Sequence, residues 1–482
     1  MIDFRPIGYV IGLLVTALGA TMVFPLGLDL ALGNGEWPVF LEAMAVTCLI
    51  GAVLAMTTSS GVDGGLTLRQ TFLLTAGVWI VLPIFGAIPF LIGATEARLV
   101  DAFFEAMSGL TTTGSTVFSG LDDLPEGLLL WRSMLQWFGG IGIIVVAMVF
   151  LPELKVGGMQ IFRSEAFDTA GKVLPRAAQI ASRITVIYAA LTVICFLTYL
   201  VFGLGLFDAV NHALTTVSTG GFSTYDGSFG TFQGAPEYVA SVFMVLASLP
   251  FVRYVQLIGG STGPLLRDSQ VRAFVVTMFA LILIITAYRV IANDDHYEHA
   301  FREALFNVTS IMTGTGFASV DYQLWGTLPV VMFFFLGLIG GCAGSTCCSI
   351  KIFRFQLLFA SIRSQIRLIY APHGVFQPRY EGRPVSEDVL SSVMAFFVLF
   401  IVSLGILSIL LSMTGLDFVT SLSGAATALA NIGPGLGDII GPAGNFATLN
   451  DTAKWLLAGA MLVGRLELLV VYALLTKRFW LD

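Results

Sequence analysis

The sequence predicts an all-α integral membrane protein: ten transmembrane helices plus four re-entrant pore helices, set out as four pseudo-symmetric span–loop–span repeats around one pore. Three observations predict it. Apolar residues make up 56% of the 482-residue chain and charged residues 11%, against roughly a quarter charged in an average soluble domain. Residues 6–28, 43–62, 70–95, 133–152, 184–207, 322–350 and 389–416 contain no Asp, Glu, Lys or Arg, and about 20 apolar residues suffice to cross a bilayer as a helix. Finally, a glycine-marked loop recurs four times: Thr111-Thr112-Thr113-Gly114, Ser218-Thr219-Gly220-Gly221, Thr313-Gly314-Thr315-Gly316 and Ala430-Asn431-Ile432-Gly433.

The last glycines of successive loops are 107, 95 and 117 residues apart, and Asp101, Asp208 and Glu303 each precede their glycine by 13 residues. A shared offset of that kind marks one unit used repeatedly. Residues 1–65 hold two spans and no such loop, and read as an N-terminal two-helix hairpin. Four pore repeats follow, at 66–155, 156–265, 266–385 and 386–482. The segment before each loop is short: Asp208 to Ser218 is 11 residues, about 16 Å of helix, too little to cross. A short helix followed by irregular backbone is tolerated at membrane depth only when protein or a water-filled cavity surrounds it. Each such helix is expected to begin outside, near Asp101, Asp208, Glu303 or Asp417, and to point its negative dipole end at a central cavity, where it favours a cation. The plainer reading is that these acids cap helix ends.

Charge sets the expected orientation. The loops around 58–70, 151–183, 260–272 and 351–388, with both termini, carry 17 of the 24 Lys+Arg, among them Lys155, Arg163 and Lys172. By the positive-inside rule that side is cytoplasmic, which places both termini inside. The net charge of −7 offers nothing to a nucleic acid, and membrane lipid is the expected surrounding.

The loops carry the chemistry. Glycine permits φ > 0, which lets successive carbonyls face one axis. Thr112, Thr113, Gly114, Thr219, Gly220, Gly221, Gly314, Thr315, Gly316, Asn431, Ile432 and Gly433 are therefore the expected ion ligands. None is a carboxylate, as suits a monovalent cation that must bind weakly enough to leave; a calcium site or proton relay would need acids. The run Leu338–Ser349 interrupts a long apolar stretch with small residues, Gly340, Gly341, Gly344, Ser345 and Thr346 among them. It reads as an unwound segment under the loops; a phosphate loop is excluded because no Gly-Lys-[Ser/Thr] occurs. Arg465, in Met461-Leu462-Val463-Gly464-Arg465-Leu466-Glu467, sits deep enough to be expensive against lipid and is a functional candidate by default. A bridge to Glu467 is disfavoured, because i and i+2 do not share a helix face. Arg253 is balanced between a structural and a functional role, and His212 reads as a packed hydrogen-bonder. The five cysteines read as small packing residues, with no disulfide or metal expected.

These loops in this frame resemble the Trk/Ktr/HKT superfamily of cation transporters, most closely its bacterial Trk-type potassium uptake subunits (the TrkH type), over the whole chain. The resemblance implies a K⁺ filter within one subunit, with Gly114 standing where Na⁺-transporting plant relatives carry Ser. It implies that the 340–349 break is a gating loop and that Arg465 faces the pore below the filter. It also implies a homodimer in the bacterial inner membrane and a cytosolic TrkA-like partner that binds NAD or ATP. Gly314, where relatives often carry Thr, and Pro434 lead us to expect loops that are not equivalent. An ion-coupled (H⁺ or Na⁺) secondary transporter of K⁺ or Na⁺ is the alternative; such folds usually show inverted repeat pairs, whereas these four share one orientation. An enzyme is not expected, since the four histidines do not group with acids inside the membrane.

Overall fold

The computed structural model describes residues 2–61, 66–147, 158–159 and 173–481, with residues 61, 173–180 and 481 as backbone alone. The expected repeat boundaries at 65/66 and 155/156, and Lys155, Arg163 and Lys172, lie outside the described residues.

The described chain is overwhelmingly helical; its four strands are two residues long each. Among the described residues seven helices are long and apolar enough to cross a membrane: Arg5–Leu32, Trp37–Thr58, Leu68–Ile92, Glu126–Val145, Ala181–Val201, Ser269–Ala292 and Glu387–Met413. An eighth span results if Ala235–Ala247 and Phe251–Ile258, bent by 89°, are taken together. The two other expected spans are in pieces. Thr327–Gly337 ends at the small-residue run before Ile352–Tyr370 resumes, and Asp451–Arg465 stops where Glu467 and Leu468 take φ of 61° and 29°, before Leu469–Leu474.

Local chemistry sets the helix starts. Thr67 and Gln70 form a reciprocal capping box, while Asp268, Asp417 and Asn450 accept backbone N–H groups of the first turn, each satisfying donors that a helix leaves unpaired. In the N-terminal hairpin Arg5–Thr21 lies directly on Trp37–Thr58. A Cβ on Gly12 would meet Ala55 N at 2.5 Å and Gly51 O at 2.8 Å, so the backbones touch through small residues, as membrane helices do where dispersion is the main attraction.

Four buried helices, Leu99–Leu110, Leu206–Val217, Tyr297–Met312 and Phe418–Ala430, end in the glycine-marked loops. Their packing closes on itself. Glu126–Val145 packs on the first and second of them, Ala235–Ala247 on the second and third, Thr327–Gly337 on the third and fourth, and Asp451–Arg465 on the fourth and again the first. The four loops are thereby brought to one place at the centre of the molecule.

Candidate functional site: a ring of four loops and the break beside it

Each loop-bearing helix ends in the same way. Thr112, Thr219, Gly314 and Asn431 take left-handed φ of 51°, 51°, 71° and 51°. The next N–H reaches back five residues to close the helix: Thr113 N to Ser108 O, Gly220 N to Thr215 O, Thr315 N to Ser310 O and Ile432 N to Thr427 O, at 2.8, 2.8, 2.9 and 3.1 Å. This is the Schellman closure. Two residues after the first left-handed position comes a second: Gly114, Gly221, Gly316 and Gly433 at 84°, 79°, 81° and 109°. The residue between them, Thr113, Gly220, Thr315 or Ile432, is not at positive φ, so the sign of φ alternates along each loop. Gly314 adopts the backbone sense that two threonines and an asparagine adopt in the other loops. The loops differ in side chains, not in φ.

The loops also meet in chain order. A Cβ on Gly114 would strike the carbonyl oxygen of Gly220; on Gly221, that of Thr315; on Gly316, that of Ile432; and on Gly433 it would lie 2.9 Å from that of Thr113. Every contact joins the last glycine of one loop to the middle residue of the next, and the fourth returns to the first. The ring is held from within by Asn431 Nδ2 donating to Thr113 Oγ1 at 2.9 Å and Ser115 Oγ donating to the Gly433 carbonyl at 2.8 Å. Thr112 Oγ1 and Asn431 Oδ1 are buried oxygens without a protein partner.

A second layer braces the ring from behind. Glu105 and Arg132, both almost fully buried, pair at 2.8 Å. Glu105 accepts from Thr116 Oγ1 and Val117 N on the first loop, while Arg132 donates to Ser223 O beyond the second and lies 4.2 Å over the Phe222 ring. Gln136 Nε2 donates to Gly220 O at 2.6 Å, and Phe222 N donates to Gln136 Oε1 at 3.0 Å. His212 is buried and held by Asp208 O and Ser223 Oγ, which fits a packed hydrogen-bonder.

The loops border a cavity of about 280 Å³ lined by Gly114, Ser115, Gly221, Gly316, Gly433 and, from the bracing layer, Arg132, among others. The acids of the loop-bearing helices are engaged rather than free. Asp101 pairs with Lys454 at 2.6 Å and Arg98 at 2.8 Å, Asp208 accepts from Thr224 and Tyr225, and Glu303 pairs with Arg289 at 2.6 Å. Only Asp417 caps a helix in the simple sense; the N-cap positions of the other three are Arg98, Gly205 and His296. In the neighbouring turn burial works to raise the Asp295 carboxyl, but the His299 hydrogen bond and the Arg289 charge outweigh it and leave that carboxyl below its ordinary range.

The small-residue run is indeed non-helical and buried. Ile339–Gly340 pairs in parallel with Ile350–Lys351. Between them the chain is stitched to the 89° bend of its neighbour: Cys342 N donates to Ser248 O, Phe251 N to Gly344 O, and Thr346 Oγ1 to Ala247 O, at 3.1, 2.9 and 3.0 Å. Ser349 N donates to Ala430 O at 3.0 Å, tying the run to the end of the fourth loop-bearing helix. Gly340, Gly341, Gly344, Ser345 and Thr346 all lie in this segment and are buried by protein, the surrounding that irregular backbone needs in a membrane protein. Arg465 reaches it. Its guanidinium, 1% exposed, donates to Cys348 Sγ, to Thr346 O at 3.5 Å and, across the molecule, to Gly139 O at 2.9 Å. Glu467 turns the other way, to Arg354. Beside Arg465 the free volume is about 20 Å³, room for about one water. Arg253 pairs with Asp268 at 2.8 Å just past the bend.

All twelve loop residues expected as ligands therefore come to one ring, and the five small residues lie in one buried run that Arg465 reaches at Thr346 and Cys348. Sequence reading missed Glu105, Arg132 and Gln136. Two signals were available: each is a polar side chain within a strongly apolar helix, and Arg132 immediately bounds a charge-free run.

Residues 36–479 match the model of the TrkH family, described as cation transport protein. The chain is 42% identical over 479 residues to the Trk system potassium uptake protein TrkI of Halomonas elongata, covering 99% of this chain and 97% of that one. It is 36% identical over 489 residues to the Trk system potassium uptake protein TrkH of Escherichia coli (strain K12), covering 99% of each. The crystal structure of the potassium transporter TrkH from Vibrio parahaemolyticus superimposes with a TM-score of 0.92 at 33% identity, over 99% of this chain and 100% of that one.

Proposed function

The chain belongs to the TrkH family of cation transport proteins, multi-pass membrane transporters rather than enzymes, and from that membership we propose that it takes up K⁺ through the four-loop ring, in the inner membrane of a bacterium. One observation carries this reading: four loops of identical backbone sense, each last glycine against the next loop's carbonyl. The ring offers several weak oxygen ligands and no carboxylate, which a dehydrated monovalent cation can enter and leave. Thr112, Thr113, Gly114, Thr219, Gly220, Gly221, Gly314, Thr315, Gly316, Asn431, Ile432 and Gly433 form the filter, one loop from each of the four repeats. The segment Gly340–Ser349 with Arg465 forms the gate, supported by the tight packing at Arg465 and the hydrogen bonds from its guanidinium to Thr346 O and Cys348 Sγ in that segment.

Regulation comes from the cytosol. The basic stretch 351–388 has six Lys+Arg and three acids, and it includes the helix Ile352–Tyr370, on which Phe359, Ile362, Ile366 and Ile369 are exposed. That surface receives a TrkA-like nucleotide-binding subunit, through which NAD or ATP acts on the gate, and the transporter itself works as a homodimer with both termini cytoplasmic. The test is flux from purified protein in liposomes with K⁺ and Na⁺ gradients set separately. Downhill K⁺ flux without Na⁺ or a proton gradient is the expected result; strict dependence on a second ion would overturn the channel-like mechanism and favour symport.

A further inference from the structure

Of the four middle carbonyls in the ring, those of Thr113, Gly220, Thr315 and Ile432, only the Gly220 oxygen accepts a side-chain hydrogen bond among the described residues. The donor is Gln136, fully buried in Glu126–Val145. The same amide takes the N–H of Phe222 on its other end, so it spans Gly220 from both sides and leaves neither of its hydrogen-bonding ends idle. It also explains the residue beside it. Gly220 is the one middle position without a side chain, although its φ is not positive. A Cβ there would fall on the Gln136 Oε1 and Cδ atoms. A side chain at position 220 would therefore displace the Gln136 amide from the place where it reaches the carbonyl.

A donor on a filter carbonyl has two physical effects. It uses one of the oxygen's two lone pairs, weakening the field that oxygen presents to an ion, and it tethers the oxygen on the side away from the ring. Selectivity for a larger over a smaller cation depends on ligand number, field strength and how far the oxygens can close in. A smaller ion requires the ring to contract, and a tethered oxygen resists contraction by the worth of its bond.

We infer that Gln136 is a positioning residue for selectivity: through Gly220 it holds one quadrant of the filter open and so disfavours Na⁺ relative to K⁺. The inference rests on the filter reading above and deepens it. Gln136→Met, close in volume and without a donor, is the test, with Gln136→Leu as a second variant should Met refill the site imperfectly. Reconstituted protein is compared for K⁺ flux, Na⁺ flux and thermal unfolding. The K⁺/Na⁺ flux ratio should fall by roughly three- to tenfold, the worth of one buried hydrogen bond, chiefly through a rise in Na⁺ flux. A variant that folds and keeps the wild-type ratio overturns the inference, as does one in which both fluxes fall together, the mark of a merely structural role. A wild-type protein that passes both ions equally would instead remove the filter reading itself.

Discussion

Gly433 and Thr113 close the ring: a side-chain carbon on Gly433 would lie 2.9 Å from the Thr113 carbonyl oxygen, so the last loop seats against the first. The same relation at Gly221 is tighter, with a Cβ falling on Thr315 O. Gly221→Ala therefore both strains a left-handed backbone, at a cost of about 1–3 kcal/mol, and displaces a filter carbonyl. Transport should fall by more than about tenfold, since 1.4 kcal/mol is already a factor of ten. Gly203→Ala is the control. Its φ of 99° carries the same strain, but its Cβ would meet nothing within 4 Å, so uptake into vesicles should stay near wild type once folded protein is matched.

Arg465 is the only side chain that bonds at once to the break (Thr346 O, Cys348 Sγ) and to the helix behind the first loop (Gly139 O) among the described residues. Hydrogen bonds from a charged donor contribute about 1.5–3 kcal/mol each. Arg465→Ala removes three, and unregulated K⁺ flux in reconstituted vesicles should rise by about tenfold or more. Arg465→Lys keeps the charge but offers a compact point donor in place of a fork, and should raise flux by less. An unchanged flux in the alanine variant would take the gate away from this residue.

Glu105 and Arg132 bind two loops through one buried pair. Removing either partner leaves an uncompensated buried charge, at a cost of about 3–5 kcal/mol. Arg132→Met and Glu105→Leu alone should each lower the unfolding temperature in detergent sharply. Combined, they should cost less than their sum, because replacing both charges by apolar groups leaves none stranded. Additive losses would mean that the two side chains act separately.

What was legible in the sequence follows the range of the interactions. The loops could be read because their signal is local: a glycine, a hydroxyl neighbour and an acid at a fixed offset. The break could be read because small residues interrupt an apolar run. The braces could not, since Gln136 meets Gly220 84 residues away and Arg465 meets Gly139 326 residues away, and nothing in either neighbourhood encodes the other. Arg465 was rightly separated from Glu467, but the reason lies in the fold: the helix stops at Arg465, and left-handed Glu467 and Leu468 swing the acid to Arg354. The expected inequivalence of the loops lies in their side chains and not in their backbone sense. Composition differs at Gly314, while the backbone sense is imposed by the helix closure that all four loops share.

That shared closure separates the two glycines of the third loop. A Cβ on Gly316 would fall on Ile432 O, whereas one on Gly314 would find Asn431 O at 3.5 Å and Cys348 N at 3.7 Å, ordinary contacts. The equivalent positions hold Thr112, Thr219 and Asn431 at φ of 51°, so the conformation is open to a side chain and carries only the left-handed penalty. Asparagine tolerates that region better than most residues. Gly314→Asn should therefore cost about 1 kcal/mol of stability and leave K⁺ uptake within about twofold, since 0.4 kcal/mol in the filter is a factor of two. Gly316→Asn should abolish uptake. If both variants lose transport alike, the Cβ space at Gly314 is needed by the permeating ion.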